Sequence, residues 1–198
     1  MNPNVNETVG RCSWCESDPL YQAYHDTEWG RIVTRDHKLL ESICLEGAQA
    51  GLSWLIVLKK RPQYRESFKD FHPEKVARMT PEDIQACMSN PGLIRHRKKL
   101  ESIPHNARQF LKIQNTRGSF FNYVWEFVDG QQIQNHWRTA DQIPSSTPIS
   151  AKISKDLKQH GFKFVGATII YSFMQAVGMV NDHLISCHCW SLCNEPRV

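Results

Sequence analysis

The stretch from Gly161 to Cys189, GFKFVGATIIYSFMQAVGMVNDHLISCHC, constrains this chain more than any other. Gly161 and Gly166 bracket a turn, and the apolar run behind it reads as a helix that carries His183 and Cys187 one helical turn apart on a common face. A helix entered through a glycine turn leaves backbone N–H groups free to take a phosphate. A histidine and a cysteine so spaced offer one nitrogen and one sulfur, half of a tetrahedral metal site.

Two further ligands must come from elsewhere. Cys12 and His25 are the natural candidates, because they flank the first expected helix and would pin the N-terminal segment to the C-terminal one. Cys15, His188, Cys189 and Cys193 are rivals close by in sequence. A zinc ion held by four side chains has no position left for water, so such a site reads as structural. The leading residues MNPNVNETVG are polar and lack the apolar core of a signal peptide, which makes a cytoplasmic location the expectation. Seven cysteines then read as free thiols or metal ligands rather than as a disulfide framework.

Residues 1–10 are expected to form a flexible leader, with one compact helical domain over 11–198 and a helical hairpin at about 150–180. Asp18-Pro19 is a helix start, and the helix behind it carries Tyr21 and Tyr24 on one face with His25 at its shoulder. From Asp36 the apolar positions Leu39, Leu40, Ile43 and Cys44 repeat at helical spacing. Between Pro62 and Leu111 three helical stretches are expected, with breaks at Pro73, Thr80-Pro81 and Pro91-Gly92. The aromatic run Phe120–Val128 reads as core around Trp125. A polar loop, Gln131–Pro148, leads through IPSSTPIS into a short amphipathic helix over Ile149–His160.

Three features fit that scaffold less easily. Glu46 adjoins small and apolar residues just ahead of Gly51-Leu52-Ser53-Trp54, where burial would make it a placed hydrogen-bond acceptor instead of a surface carboxylate. Leu52 is either core or an apolar tip that wedges into a base stack, with core the simpler reading. The run Ile94–Lys99 is the most basic cluster; a solvated helix face is its default explanation, and a phosphate-facing surface its alternative. Lys+Arg of 24 against Asp+Glu of 20 leaves a net charge of +4, which suits a polyanion partner without proving one. Asp182 adjoins His183 and reads as a group supporting that ligand or capping the chain, with a catalytic role as the alternative.

The turn Gly161–Gly166 resembles a helix-hairpin-helix element, with Val165-Gly166 at the last two positions of the usual glycine-hydrophobic-glycine hairpin and Phe164 in place of the first glycine. Longer blocks are more specific. RCSWCESDPLYQAYHDTEWG, LLESICLEGAQAGLSW, GLIRHRKKLESI and GFKFVGATIIYSFMQAVGMVNDH, in that order, resemble the bacterial DNA-3-methyladenine glycosylase I family from Arg11 to about Cys189. The resemblance implies an all-α fold of the helix-hairpin-helix glycosylase superfamily, two helical lobes around a base-binding cleft, and one structural zinc on Cys12, His25, His183 and Cys187. It implies a base pocket of Tyr21, Tyr24, Glu46 and Trp54, with Glu46 as the catalytic candidate. Leu52 then fills the gap left by the flipped base, and Gly51, Gly161, Lys163, Val165 and Gly166 are further DNA-binding residues. The implied activity is hydrolysis of the N-glycosidic bond of 3-methyladenine in alkylated double-stranded DNA, without strand-cleaving lyase chemistry, by a monomer. A zinc-stabilised DNA-binding module without catalysis is the alternative, and the carboxylate among aromatic residues argues against it.

Overall fold

The computed structural model of the chain describes residues 10–194, so all of the expected leader but Gly10 lies outside the described residues. Helix starts follow the sequence's own signals. Asp18 caps α1 (Pro19–Thr27) by accepting the Leu20 N–H at 2.9 Å. Pro73 and Pro81 occupy the first turns of α4 (Pro73–Ala77) and α5 (Pro81–Ser89), where their missing N–H costs nothing. Thr147 and Ser150 close a reciprocal capping box ahead of α8 (Pro148–Gln159). Between these lie α2 (Asp36–Gln49), α3 (Trp54–Ser67), α6 (Arg97–Arg117) and α7 (Phe120–Trp125).

The core is one continuous cluster, with Leu39, Leu40, Ile43 and Leu45 of α2 at its centre. This helix packs against α3, α6, α7 and α9 (Ala167–Ala176). Asp36, at the start of α2, bonds Gln114 of α6 at 2.6 Å and the N–H groups of Phe120 and Phe121 in α7 at 2.9 and 3.1 Å. One carboxylate thereby ties three helices together and caps the third. Phe110, Phe120 and Phe162 form the neighbouring aromatic layer.

Two expectations need correction. The fold is predominantly helical and not purely so, because β1 (Ile133–Gln134) pairs in parallel with β2 (Val180–Asn181). The apolar helical run also stops early, at Ala176, and His183 and Cys187 lie in the turns beyond it. Gly178 is the physical reason. Its φ of +73° is left-handed, and a Cβ there would sit 2.3 Å from the carbonyl carbon of Arg31. The N-terminal half takes over the end of the helix: Gly30 N–H bonds Gln175 C=O at 2.9 Å and Val33 N–H bonds Val177 C=O at 3.1 Å. The buried residues Met179 to Asn181 then lead into and form β2, and the apolar pair Met179-Val180 is indistinguishable from helix core by periodicity.

Candidate active site and metal cluster

Helix α1 presents Tyr21 and Tyr24 three residues apart, so both face the same way. Trp54, at the first position of α3, lies 5.5 Å from Tyr24 between ring centroids. Trp14 stands edge-on to Tyr21 at 4.8 Å and to Trp29 at 5.0 Å. These rings and Glu46 line one side of a cavity of about 360 Å³, and Tyr171, Gln175 and the Ile143–Ser145 loop line the other. The space lies within the range typical of small-molecule sites.

Glu46 is 4 % exposed, and burial alone pushes its pKa up to about 8, with no cation or hydrogen bond among the described residues to offset it. Burial therefore favours the neutral carboxyl near pH 7. The Trp54 Nε1 is buried and has no acceptor among the described residues. One wall thus carries an uncompensated acid and an unused donor, the arrangement of a site completed by its ligand.

Asp182 is in the opposite condition. It is fully buried and accepts from Asn135 at 2.6 Å, Trp137 at 2.8 Å, Tyr171 at 2.6 Å and Gln175 at 2.7 Å. A carboxylate so saturated has no lone pair left for a reacting water. Its role is to hold the wall formed by Tyr171 and Gln175.

The loop between α2 and α3 carries Gly51 and Leu52. Gly51 has a φ of +79° with open space around it, and Leu52, far from being core, is 39 % exposed. The turn between α8 and α9 brings Lys163 to the surface and leaves Gly166 facing open space, while the Val165 side chain is buried. Phe164 adopts φ +57°, a glycine-like conformation at the position where a hairpin glycine is expected. The Gly161 N–H closes the end of α8 on Lys158 C=O at 3.0 Å, so that glycine shapes the turn.

Cys12, His25, His183 and Cys187 come together, all buried, with their ligand atoms within 4.8 Å of one another. Cys187 Sγ is 3.4 Å from His25 Nε2 and 3.5 Å from His183 Nδ1, and Cys12 Sγ is 3.8 Å from His183 Nδ1. Zinc bonds of 2.0–2.3 Å in a tetrahedron require ligand–ligand edges of about 3.3–3.8 Å, so the donor set fits. The far ring nitrogens are anchored as a ligand pair needs: His25 Nδ1 on Asp26 at 2.8 Å and His183 Nε2 on the Trp29 carbonyl at 3.1 Å. Arg11 grips Asp26 in turn, holding its carboxyl below the usual range although burial pushes it up. The N–H groups of Leu184 and Cys189 point at the sulfurs of Cys12 and Cys187. Of the rival ligands, Cys189 bonds His188 and backbone carbonyls and Cys15 bonds the Cys12 carbonyl.

The methyladenine glycosylase family model matches residues 14–190. The chain belongs to this family. It is 52 % identical over 180 residues to the DNA-3-methyladenine glycosylase 1 of Escherichia coli K12, covering 91 % of this chain and 96 % of that one. Against the DNA-3-methyladenine glycosylase of Haemophilus influenzae the identity is 49 %, covering 90 % and 97 %. Its fold superposes on a crystal structure of 3-methyladenine DNA glycosylase I with a TM-score of 0.89 at 53 % identity, over 91 % of this chain and 99 % of that one. A variant of 3-methyladenine DNA glycosylase I solved in complex with 3-methyladenine matches with a TM-score of 0.87 at 40 % identity, over 90 % and 96 %.

Within this glycosylase, Trp14, Trp29, Tyr171 and Gln175 line the cavity without having been singled out from sequence as pocket residues. Trp14 carried a usable signal, an aromatic residue between two cysteines next to an expected aromatic helix. Tyr171 and Gln175 carried none, since four residues apart on an apolar helix reads as ordinary packing. Among the described residues no helix is long and apolar enough to cross a membrane.

Proposed function

We propose that this glycosylase extrudes 3-methyladenine from alkylated duplex DNA into the Tyr21–Tyr24–Glu46–Trp54 cavity and hydrolyses its N-glycosidic bond, without lyase activity. The observation that carries the reading is the buried, unpaired carboxyl of Glu46 in an aromatic-lined space. A 3-methylated adenine in DNA is a cation; aromatic faces attract it, and its charge draws Glu46 into the ionised form that accepts a hydrogen bond from the base edge. Unmodified adenine brings no charge, leaves Glu46 neutral and gains less. Selection thus comes from a titration completed only by the cationic base.

Chemistry then needs little further help. The C1′–N9 electron pair moves into the base, which departs neutral, and water adds to the sugar carbon and releases its proton to solvent. Glu46 holds the base in place through that step, while Asp182 keeps Tyr171 and Gln175 fixed. No Schiff-base nucleophile is required, so the product strand remains intact.

In this reading Leu52, presented by Gly51, occupies the gap left in the stack, and the Gly161–Gly166 turn grips the backbone as a helix-hairpin-helix through the free N–H groups around Val165 and Gly166, with Lys163 beside them. One zinc ion on Cys12, His25, His183 and Cys187 would supply a cross-link between the two ends of the chain. Those residues set α1, and with it Tyr21 and Tyr24, against the segment that follows α9.

The test is release of 3-methyladenine from alkylated duplex by two variants. Glu46→Gln is expected to lower release at least tenfold, whereas folded Asp182→Asn retains most of its rate. If only Asp182→Asn abolished release, the assignment of roles would be wrong.

A further inference from the structure

Lys99 lies in the most basic run of the chain, yet it alone of Arg95–Lys99 is buried, at 8 % exposed. Its ammonium reaches under the end of α2 and donates to the carbonyls of Ala48 at 2.9 Å and Ala50 at 2.6 Å. Those carbonyls belong to the last turn of the helix, where no intrahelical donor remains. Burial pulls the Lys99 pKa below the usual lysine value, and no carboxylate among the described residues offsets that cost. The two carbonyls are what it holds.

Two residues beyond Ala50 stands Leu52. The loop between the clamp and Trp54 is short and exposed, its own fastening being a Leu52 N–H bond to Gln49 C=O. Gly51, at φ +79° with nothing near it, gives it freedom to swing. The end of α2 is also the negative pole of that helix, an unfavourable group to turn towards phosphates. A cation beneath it offsets that pole and fixes two of the carbonyls from which Leu52 is suspended.

We propose that Lys99 is the positioning residue of the Leu52 loop: it clamps the Ala48 and Ala50 carbonyls so that Leu52 is presented to the duplex at fixed height and the helix end does not repel the DNA backbone. The proposal rests on the wedge role given to Leu52 above, and the experiment separates the two. Lys99→Met keeps the stem and removes the charge and donors; Lys99→Arg restores both; Leu52→Ala removes the wedge alone. Each is measured for affinity and kcat on duplex carrying 3-methyladenine, and for affinity to free 3-methyladenine by quenching of tryptophan fluorescence.

Lys99→Met is expected to weaken duplex affinity at least tenfold, with free-base affinity within twofold of the parent and Lys99→Arg recovering most of the loss. Should Lys99→Met not fold, Lys99→Leu, which likewise removes the charge and the donors, carries the same comparison. If Leu52→Ala weakens duplex processing and the Lys99 variant does not, the clamp is refuted while the wedge stands. If Leu52→Ala has no effect, the wedge role fails and the clamp with it. Loss of free-base and duplex binding in the same proportion would make Lys99 a general stabiliser and overturn the proposal.

Discussion

Replacing Glu46 by glutamine should make the ligand-free protein more stable while making it a worse enzyme. In the unfolded chain this carboxyl ionises at about 4.5, and in the fold at about 8. A folded-state pKa raised in this way means that the native state holds a proton the unfolded state has lost. The contribution of Glu46 to stability is therefore fully present below pH 4.5 and falls as pH rises towards 8. The fall is about 1.4 kcal/mol per pH unit, reaching about 3 kcal/mol at pH 7. Glutamine is close in shape and does not titrate, so the difference between the two proteins isolates this one group. Urea unfolding at pH 5, 6, 7 and 8 measures it. The variant should gain on the parent at each step by about 1 kcal/mol. A gain that stays flat across this range would refute the reasoning, because it would mean that Glu46 is ionised in the ligand-free protein. The same variant should bind free 3-methyladenine more weakly, and the parent's preference for 3-methyladenine over adenine in DNA, where the methylated base is cationic, should shrink with it.

Gly178→Ala is expected to cost more than about 3 kcal/mol, since its methyl would meet the Arg31–Ile32 backbone and φ +73° disfavours any side chain; thermal unfolding reads the loss. Asp36→Asn should destabilise by about 1–3 kcal/mol through loss of the charged cap on α7, without altering free-base affinity. Metal analysis should find one zinc per chain, retained by Cys189→Ser and lost from Cys187→Ser, with a chelator lowering the unfolding temperature in step with activity; a folded, metal-free and inactive protein would instead make the metal catalytic. Phe164→Gly should relieve the strained backbone of the turn but open a gap against Gly47, leaving stability changed by less than about 1 kcal/mol.

Sequence patterns are legible where a local rule governs the chain. Asp18-Pro19, Thr80-Pro81 and Thr147-Pro148 start helices because their caps and fixed φ act within one turn, whatever packs around them. The grouping of Cys12, His25, His183 and Cys187 was likewise accessible, since few side chains suit a soft tetrahedral site. The route to them was not: the spacing of His183 and Cys187 suggests a helix, and the structure uses turns that close after Gly178 meets Arg31. That meeting is a contact between distant segments, and nothing in the local sequence announces it.

The sequence by itself determined which residues were available to this protein: the aromatic helix, the isolated carboxyl of Glu46, the cysteine and histidine pairs, and the blocks that mark the family. Tertiary structure alone decided what state those residues are in. Burial pushes the Glu46 carboxyl towards its protonated form, whereas Asp182 is saturated because four donors from separate segments converge on it. Lys99 leaves its basic neighbours for the interior because the Ala48 and Ala50 carbonyls at the end of α2 lie within reach of its ammonium. Charge, protonation and reach depend on desolvation and on distances between segments, and those are properties of the packed chain.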